Sequence, residues 1–336
     1  MPHERHILSD GEFSFEVAQG WARLPPELRL GEVAAVAVDQ SDTVFLFTRG
    51  EHPVVVLDRD GNVVRTWGHG LFKHAHGLDI GPDGNLYCTD DGDHTVRKCT
   101  PYGQLLLEIG LRNQPAEFMG GQPFNQCTHT ALSPQGDIYV SDGYGNACIH
   151  KFDPAGRLLK SWGRSGCGPG EFFIPHNVVC DEEGWVYVAD RENNRVQVFD
   201  GNGRYETQWN NLHRPCALCR SLDSKGYFYI GELGTFLAPF VGFPNLGPRL
   251  SVVDERGKVV AHLSSGPAGI GPGRFVAPHG IAVDSSGDIY IGEVSHTAWR
   301  WVFPETPRPD NVPTLHKLRR ISAGAVEPAG AKHPRS

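Results

Sequence analysis

Apolar and polar positions along this chain alternate in short bursts, not in the stripes of amphipathic helices. VAVDQSDTVFLF (36–47) is an apolar run, a polar turn and a second apolar run. The same unit returns as GLDIGPDGNLYCTD (77–90), TALSPQGDIYVSD (130–142), NVVCDEEGWVYVAD (177–190), RSLDSKGYFYIGE (220–232) and GIAVDSSGDIYIGE (280–293). A third run ending in a D-x-x-G-type turn follows most of them, as in VVVLDRDGN (54–62), HKFDPAGR (150–157), VQVFDGNGR (196–204) and SVVDERGK (251–258). A fourth run comes next, as in VVRTWG (63–68), LLKSWG (158–163) and VVAHLS (259–264). Four short strands per repeat, with Gly or Asp turns and no helical pattern, predict propeller blades. Six such units fill the chain, so the expected fold is all-β: a six-bladed β-propeller spanning residues 31–322. A β-sandwich would not repeat this regularly. Residues 1–30 read as an N-terminal extension that can supply a closing strand. FSFEV (13–17) and LHKLRRIS (315–322) both compete to finish the sixth blade. Residues 323–336 read as a flexible tail.

Within a blade, the residues just before the first strand and just after the second share one rim of the central channel. His76, His176 and His279 each lie eight residues before a turn glycine, namely Gly84, Gly184 and Gly287. They fall in blades two, four and six, so equivalent sites stand about 120° apart around the axis. Three imidazoles then converge on one point. Three His ligands with an open fourth position is a catalytic zinc arrangement, because a structural site closes the fourth position with protein. A single histidine at a strand start is ordinarily a turn cap or channel filler; three in one register are read as metal ligands. His129 lies seven residues before Gly136, one position out of step, and should point elsewhere, with Thr128 taking the ligand register. His74 has no counterparts in other blades and is read as channel lining.

On the other strand of the rim, Arg49 and Arg191 lie seven residues after Asp42 and Gly184. They belong to opposite blades and are expected to face each other. Tyr144 follows the second strand of blade three on the same rim. Two planar guanidinium forks suit a substrate that carries a carboxylate. A tyrosine beside such cations can have its phenolate favoured and act as a base. Each residue also has a plain structural reading, a local ion pair or a packed turn; their grouping beside a metal favours function.

Composition narrows the classes. A formal net charge of -8 without a Lys/Arg cluster excludes a nucleic-acid footprint. No apolar run is long enough to span a bilayer. MPHERHILSDGEF at the amino terminus has no apolar core for a secretion signal, so a cytoplasmic location is expected. Among the 8 cysteines, Cys88, Cys99, Cys148 and Cys180 sit in apolar strand-like runs and read as buried thiols. The CxxC pair Cys216 and Cys219 lacks a second pair at zinc-site spacing.

YVADRENNRVQVFD (187–200), YVSDGYGN (139–146), TRGEH (48–52), HGLDI (76–80) and PHGIAV (278–283) resemble the peptidyl-α-hydroxyglycine α-amidating lyase family, over roughly residues 30–302. That resemblance implies an NHL-type six-bladed propeller that holds zinc on three histidines and cleaves N-acyl α-hydroxyglycines to an amide and glyoxylate. It matches His76, His176 and His279 to the zinc ligands, and Arg49, Tyr144 and Arg191 to the catalytic residues, with the arginines keeping Tyr144 acidic. The chain departs from the animal lyases at Ala277, where they carry Met. It departs again at Gly280, where they carry an Asp that serves a structural calcium; Leu78 could still offer its carbonyl to that ion. At Gly145 the secreted members carry a disulfide cysteine, and its loss fits a reducing compartment. A cytoplasmic setting favours a small carbinolamide over a peptide hormone as substrate. Two other readings stay open. One is a metal-dependent propeller hydrolase or lactonase; the other is a non-enzymatic interaction propeller of the NHL type.

Overall fold

The computed structural model describes residues 5–321 apart from 223, 224 and 244. Its strands form six sheets arranged as a six-bladed β-propeller. Five sheets have four antiparallel strands each, in chain order from the axis outward. The innermost strands are Val33–Val38, Ala75–Ile80, Cys127–Leu132, Pro175–Cys180, Pro215–Arg220 and Pro278–Val283. The sixth blade has five strands, and both candidate closing segments enter it. Leu315–Arg320 is its third strand, Phe13–Val17 pairs outside that, and Ile7–Asp10 adds a fifth. The two ends of the chain are therefore stitched into one sheet. The stretch 323–336 lies outside the described residues.

Period-two alternation places apolar side chains on both faces of each sheet, because each blade packs against two neighbours. Phe45, Phe47, Val54 and Val56 of blade one meet Ala75, Leu78, Leu86 and Cys88 of blade two. Six similar clusters fill the remaining blade interfaces and the loops above them. The turn position taken by Gly84 (φ 73) in blade two is held by Asp42 (φ 59) in blade one. Its carboxylate accepts from the Ser285 N–H and hydroxyl of blade six, tying the seam of the ring.

The sequence pattern gave no helix. The structure has one short α-helix, α1 (Ser295–Val302), inside the insertion between the second and third strands of blade six. Its buried face carries Ala298, Trp299 and Val302. Among the described residues, no helix is long and apolar enough to cross a membrane.

Candidate metal centre

Every innermost strand breaks step with its partner at its second residue. The shifts fall between Ala75 and Gly77, Pro175 and Asn177, and Pro278 and Gly280. They recur between Val33 and Ala35, Cys127 and His129, and Pro215 and Ala217. The residues left out of the ladder are His76, His176 and His279 in the even blades, and Ala34, Thr128 and Cys216 in the odd ones. A bulge re-aims the side chain of its extra residue. Here the three even-blade bulges bring three imidazoles together on the axis.

The triangle they form is nearly regular. Ring centroids are 4.9 Å apart for His76–His176, 4.7 Å for His76–His279 and 4.8 Å for His176–His279. One ring nitrogen from each lies within 4.8 Å of the other two, and all three side chains are buried. The odd blades supply the outer support. His76 donates through Nδ1 to the Thr128 carbonyl (2.6 Å), His176 to that of Cys216 (2.8 Å) and His279 to that of Ala34 (2.7 Å). Those bonds fix the tautomer and leave each Nε2 with its lone pair, the usual second support of a metal-bound imidazole.

Two glycines allow the close approach. A Cβ on Gly77 would stand 2.7 Å from the Thr128 carbonyl oxygen, and one on Gly280 2.5 Å from Ala35 Cα and 3.0 Å from the Ala34 oxygen.

Burial keeps the trio neutral. His76 and His176 are held well below the ordinary histidine value. For His76, burial leads and the other two histidines add; for His176, burial leads, then Arg191 and His279. His279 is pushed down to about 3 by burial and by Arg49. Three neutral nitrogens, each with a fixed second bond, suit a borderline divalent ion such as zinc.

Tyr144 leans over this triangle. Its hydroxyl lies 3.0 Å from His76 Nε2 and 2.9 Å from His176 Nε2. Gly143 and Gly145 pin it: a Cβ on the first would meet the Pro175 carbonyl oxygen at 2.2 Å, and on the second Asn125 Oδ1 at 2.1 Å. There is thus no room for a cysteine at 145; the Asn125 side chain fills that space. Arg191 Nη1 donates to the Tyr144 hydroxyl at 3.4 Å, and its guanidinium sits 5.5 Å from the ring centre. Arg49 reaches the rim from blade one, with Nε on the Ala75 carbonyl beside His76 at 3.0 Å.

One expectation needs correction. Arg191 does favour the Tyr144 phenolate, but burial outweighs it and the hydroxyl is raised above its ordinary value. The protein's own groups keep Tyr144 a phenol at neutral pH.

The remaining sequence candidates stand apart. His129 turns below the triangle. His74 is half exposed and bonded through Nδ1 to Asp91 at 2.6 Å. Cys216 supports His176 through its carbonyl, while Cys219 faces the lower channel. All 8 cysteines are free thiols.

Beneath the triangle, a cavity of about 220 Å³ is lined by Asp79, His129, Asn177, Cys219, Arg220 and apolar side chains. Asp79 is its one carboxylate among the described residues, and burial raises it to about 7. Calcium wants six to eight oxygens with strong carboxylate character. Gly280 has no space for a side chain, and the nearest level carries an imidazole. These residues do not fit a calcium site.

Comparison with known proteins agrees with the architecture. A family described as a 6-bladed beta-propeller matches residues 129–235. Peptidyl-glycine alpha-amidating monooxygenase of Mus musculus is 29% identical over 88% of this chain and 32% of its own length, so the chain spans about a third of that relative. Peptidyl-alpha-hydroxyglycine alpha-amidating lyase 1 of Drosophila melanogaster is 32% identical, covering 80% of this chain and 56% of that protein. NHL repeat-containing protein 3 of Homo sapiens is 29% identical, covering 82% and 80%. Among solved structures, a gluconolactonase from Xanthomonas campestris superposes with a TM-score of 0.59 at 14% identity, over 93% of this chain and 91% of that one. It speaks for the fold alone. Repeat, ring and rim together describe a six-bladed β-propeller that resembles the peptidyl-α-hydroxyglycine α-amidating lyases in sequence.

Proposed function

We propose that this chain is a zinc-dependent carbon–nitrogen lyase that cleaves an N-acyl α-hydroxyglycine, or a related small carbinolamide bearing a carboxylate, to an amide and glyoxylate. The observation that carries this is the Tyr144 hydroxyl, within 3.0 Å of two Nε2 atoms of the histidine triangle and bonded to Arg191. A base, an ion-binding triangle and a carboxylate anchor share one rim. The names of the amidating relatives support the reaction class.

His76, His176 and His279 would hold the ion through Nε2. Zinc, when bound, supplies a Lewis acid that draws charge from the substrate hydroxyl and lowers its proton affinity. Arg49 and Arg191 would grip the substrate carboxylate and so fix the α-carbon over the triangle. Tyr144, in its phenolate form, would accept the hydroxyl proton, a form that a bound cation would favour. The freed electron pair forms the aldehyde C=O of glyoxylate while the C–N bond breaks. The nitrogen leaves with that bonding pair and takes a proton, which Tyr144 Oη can return. Atoms balance without water or redox partner.

Incubation of the zinc-loaded protein with α-hydroxyhippurate should release benzamide and glyoxylate in equal amounts. Ester or lactone hydrolysis without that cleavage would favour the hydrolase reading. Absence of both metal and turnover would favour an interaction propeller.

A further inference from the structure

Each arginine of the rim is held from behind by a glutamate. Arg49 Nη1 donates to Glu32 Oε2 at 2.9 Å, and Glu32 is itself clamped from α1. The Thr297 N–H reaches its Oε1 at 2.6 Å and the Thr297 hydroxyl its Oε2 at 2.9 Å. Across the ring, Arg191 Nε donates to Glu192 Oε1 at 2.8 Å. Glu192 in turn takes two bonds from Arg214, from Nε at 3.0 Å and Nη2 at 2.8 Å. All five side chains are largely buried, with Glu32 5% exposed.

The direction of these bonds matters. They use Nε of both arginines and Nη1 of Arg49, while Arg191 Nη1 serves Tyr144. Beyond these bonds, Arg191 also meets the Cys216 thiol. A free guanidinium samples many rotamers, and ordering it on binding costs affinity. A carboxylate locked behind the fork removes that cost without covering the edge that meets the substrate. A glutamate behind each arginine lowers the pull on an anion unless it also fixes the pose of the fork.

We propose that Glu32 and Glu192 are positioning residues: each holds one arginine from behind in a fixed pose for the substrate carboxylate, with α1 (through Thr297) and Arg214 as the outer anchors. This rests on the reading of Arg49 and Arg191 as the carboxylate clamp. It extends the site beyond the rim to α1, which belongs to a different blade from Arg49.

The test is binding, so that it does not depend on turnover. Hippurate and its methyl ester lack the reacting hydroxyl and differ only in the carboxylate. Calorimetry on zinc-loaded protein should show wild type preferring hippurate. Glu32→Ala should weaken hippurate binding roughly ten- to hundredfold, the scale expected when a positioning contact is lost, with ester binding and zinc content unchanged. Thr297→Val, which keeps the carboxylate and removes only a hydroxyl anchor, should weaken hippurate in the same direction by less. It serves if Glu32→Ala fails to fold. In an Arg49→Ala background, Glu32→Ala should add almost nothing, since it acts through that arginine. Glu192→Ala should behave the same way with Arg191. Additive losses, or equal losses for acid and ester, would overturn the proposal and leave the glutamates as fold ballast. A wild type that does not distinguish acid from ester would overturn the clamp and the positioning role together, whereas amide release from α-hydroxyhippurate reports on the lyase reading separately.

Discussion

The channel has two levels, built from the same six strands and treated in opposite ways. At the upper level each imidazole has its Nδ1–H on a carbonyl of the next blade, and the three Nε2 atoms face one point. One residue further along the strands, His129 Nδ1 and Asn177 Oδ1 are buried without a protein partner. Residue type does not explain this, because both levels contain histidine. The difference is the bulge. The upper residues and the carbonyls that hold them both stand at bulge positions, out of step with their ladders. At the next residue the strands are back in register, and the His129 ring meets the backbone of Thr130 and Val178 in place of a bulge carbonyl. Which rings meet on the axis is set by their place in the ladder.

The sharpest way to break that comparison is to remove one histidine from each level. His176→Ala should lose bound metal, read by elemental analysis, and lose turnover to the detection limit, with circular dichroism unchanged. His129→Ala should keep both. The opposite outcome would mean that the two levels have been assigned the wrong way round. Next in size is Tyr144→Phe, which removes only the hydroxyl. Loss of a general base typically costs about 10²–10⁴ in rate, so kcat should fall steeply while zinc content holds. Addition of zinc to the wild type should also raise tyrosinate absorbance, and the variant should lack that signal.

A smaller effect probes the supporting carbonyls. Gly280→Ala puts a methyl 2.5 Å from Ala35 Cα and 3.0 Å from the Ala34 oxygen, so the strand whose carbonyl holds His279 must shift. Loss of such an outer contact typically lowers metal affinity about 10–100-fold, measurable by competition with a chromophoric chelator. If affinity stays at the wild-type value, the carbonyl is not what orients the ring.

The smallest effect separates the levels by pH. The upper histidines are neutral in the fold and take up protons when the chain unfolds. Metal-free stability should therefore rise with pH up to about 6.5 and be lost below it. Asp79 works in reverse. Its folded value near 7 lies above the unfolded one, so the native state binds the extra proton and stability falls as pH climbs from about 4 to 7. Asp79→Asn should stabilise the metal-free protein at pH 8, with no gain at pH 4. An equal gain at both pH values would mean that charge is not the cause.

The blades were legible because each repeat carries its own turn chemistry, and the histidine triangle was legible because three residues keep one distance from those turns. Its supports were not. A backbone carbonyl has no residue signature, so Thr128 and Ala34 gave no sign of their role. Cys216 was hidden further by a blade-five hairpin two residues longer than the others: eight residues back from Gly226 is Leu218. The tethers Glu32 and Glu192 look like any strand-end acid until the fold brings Thr297 and Arg214 beside them. Helix α1 escaped notice because eight residues inside an insertion make too short a pattern to read. The acidity of Tyr144 was misjudged because a neighbouring cation shows in the sequence and the depth of burial does not.

The shared last sheet sets an order of assembly. During synthesis Phe13–Val17 is made long before Leu315–Arg320, its partner strand, and must wait for it. His279 lies in the blade that only this late pairing completes, and the Ala34 carbonyl that orients its ring belongs to the blade across the same seam. A nascent chain can thus display two ligands long before it can offer three in the right pose. On the proposed reading, metal capture marks a finished circle, and partly made chains should let the ion go.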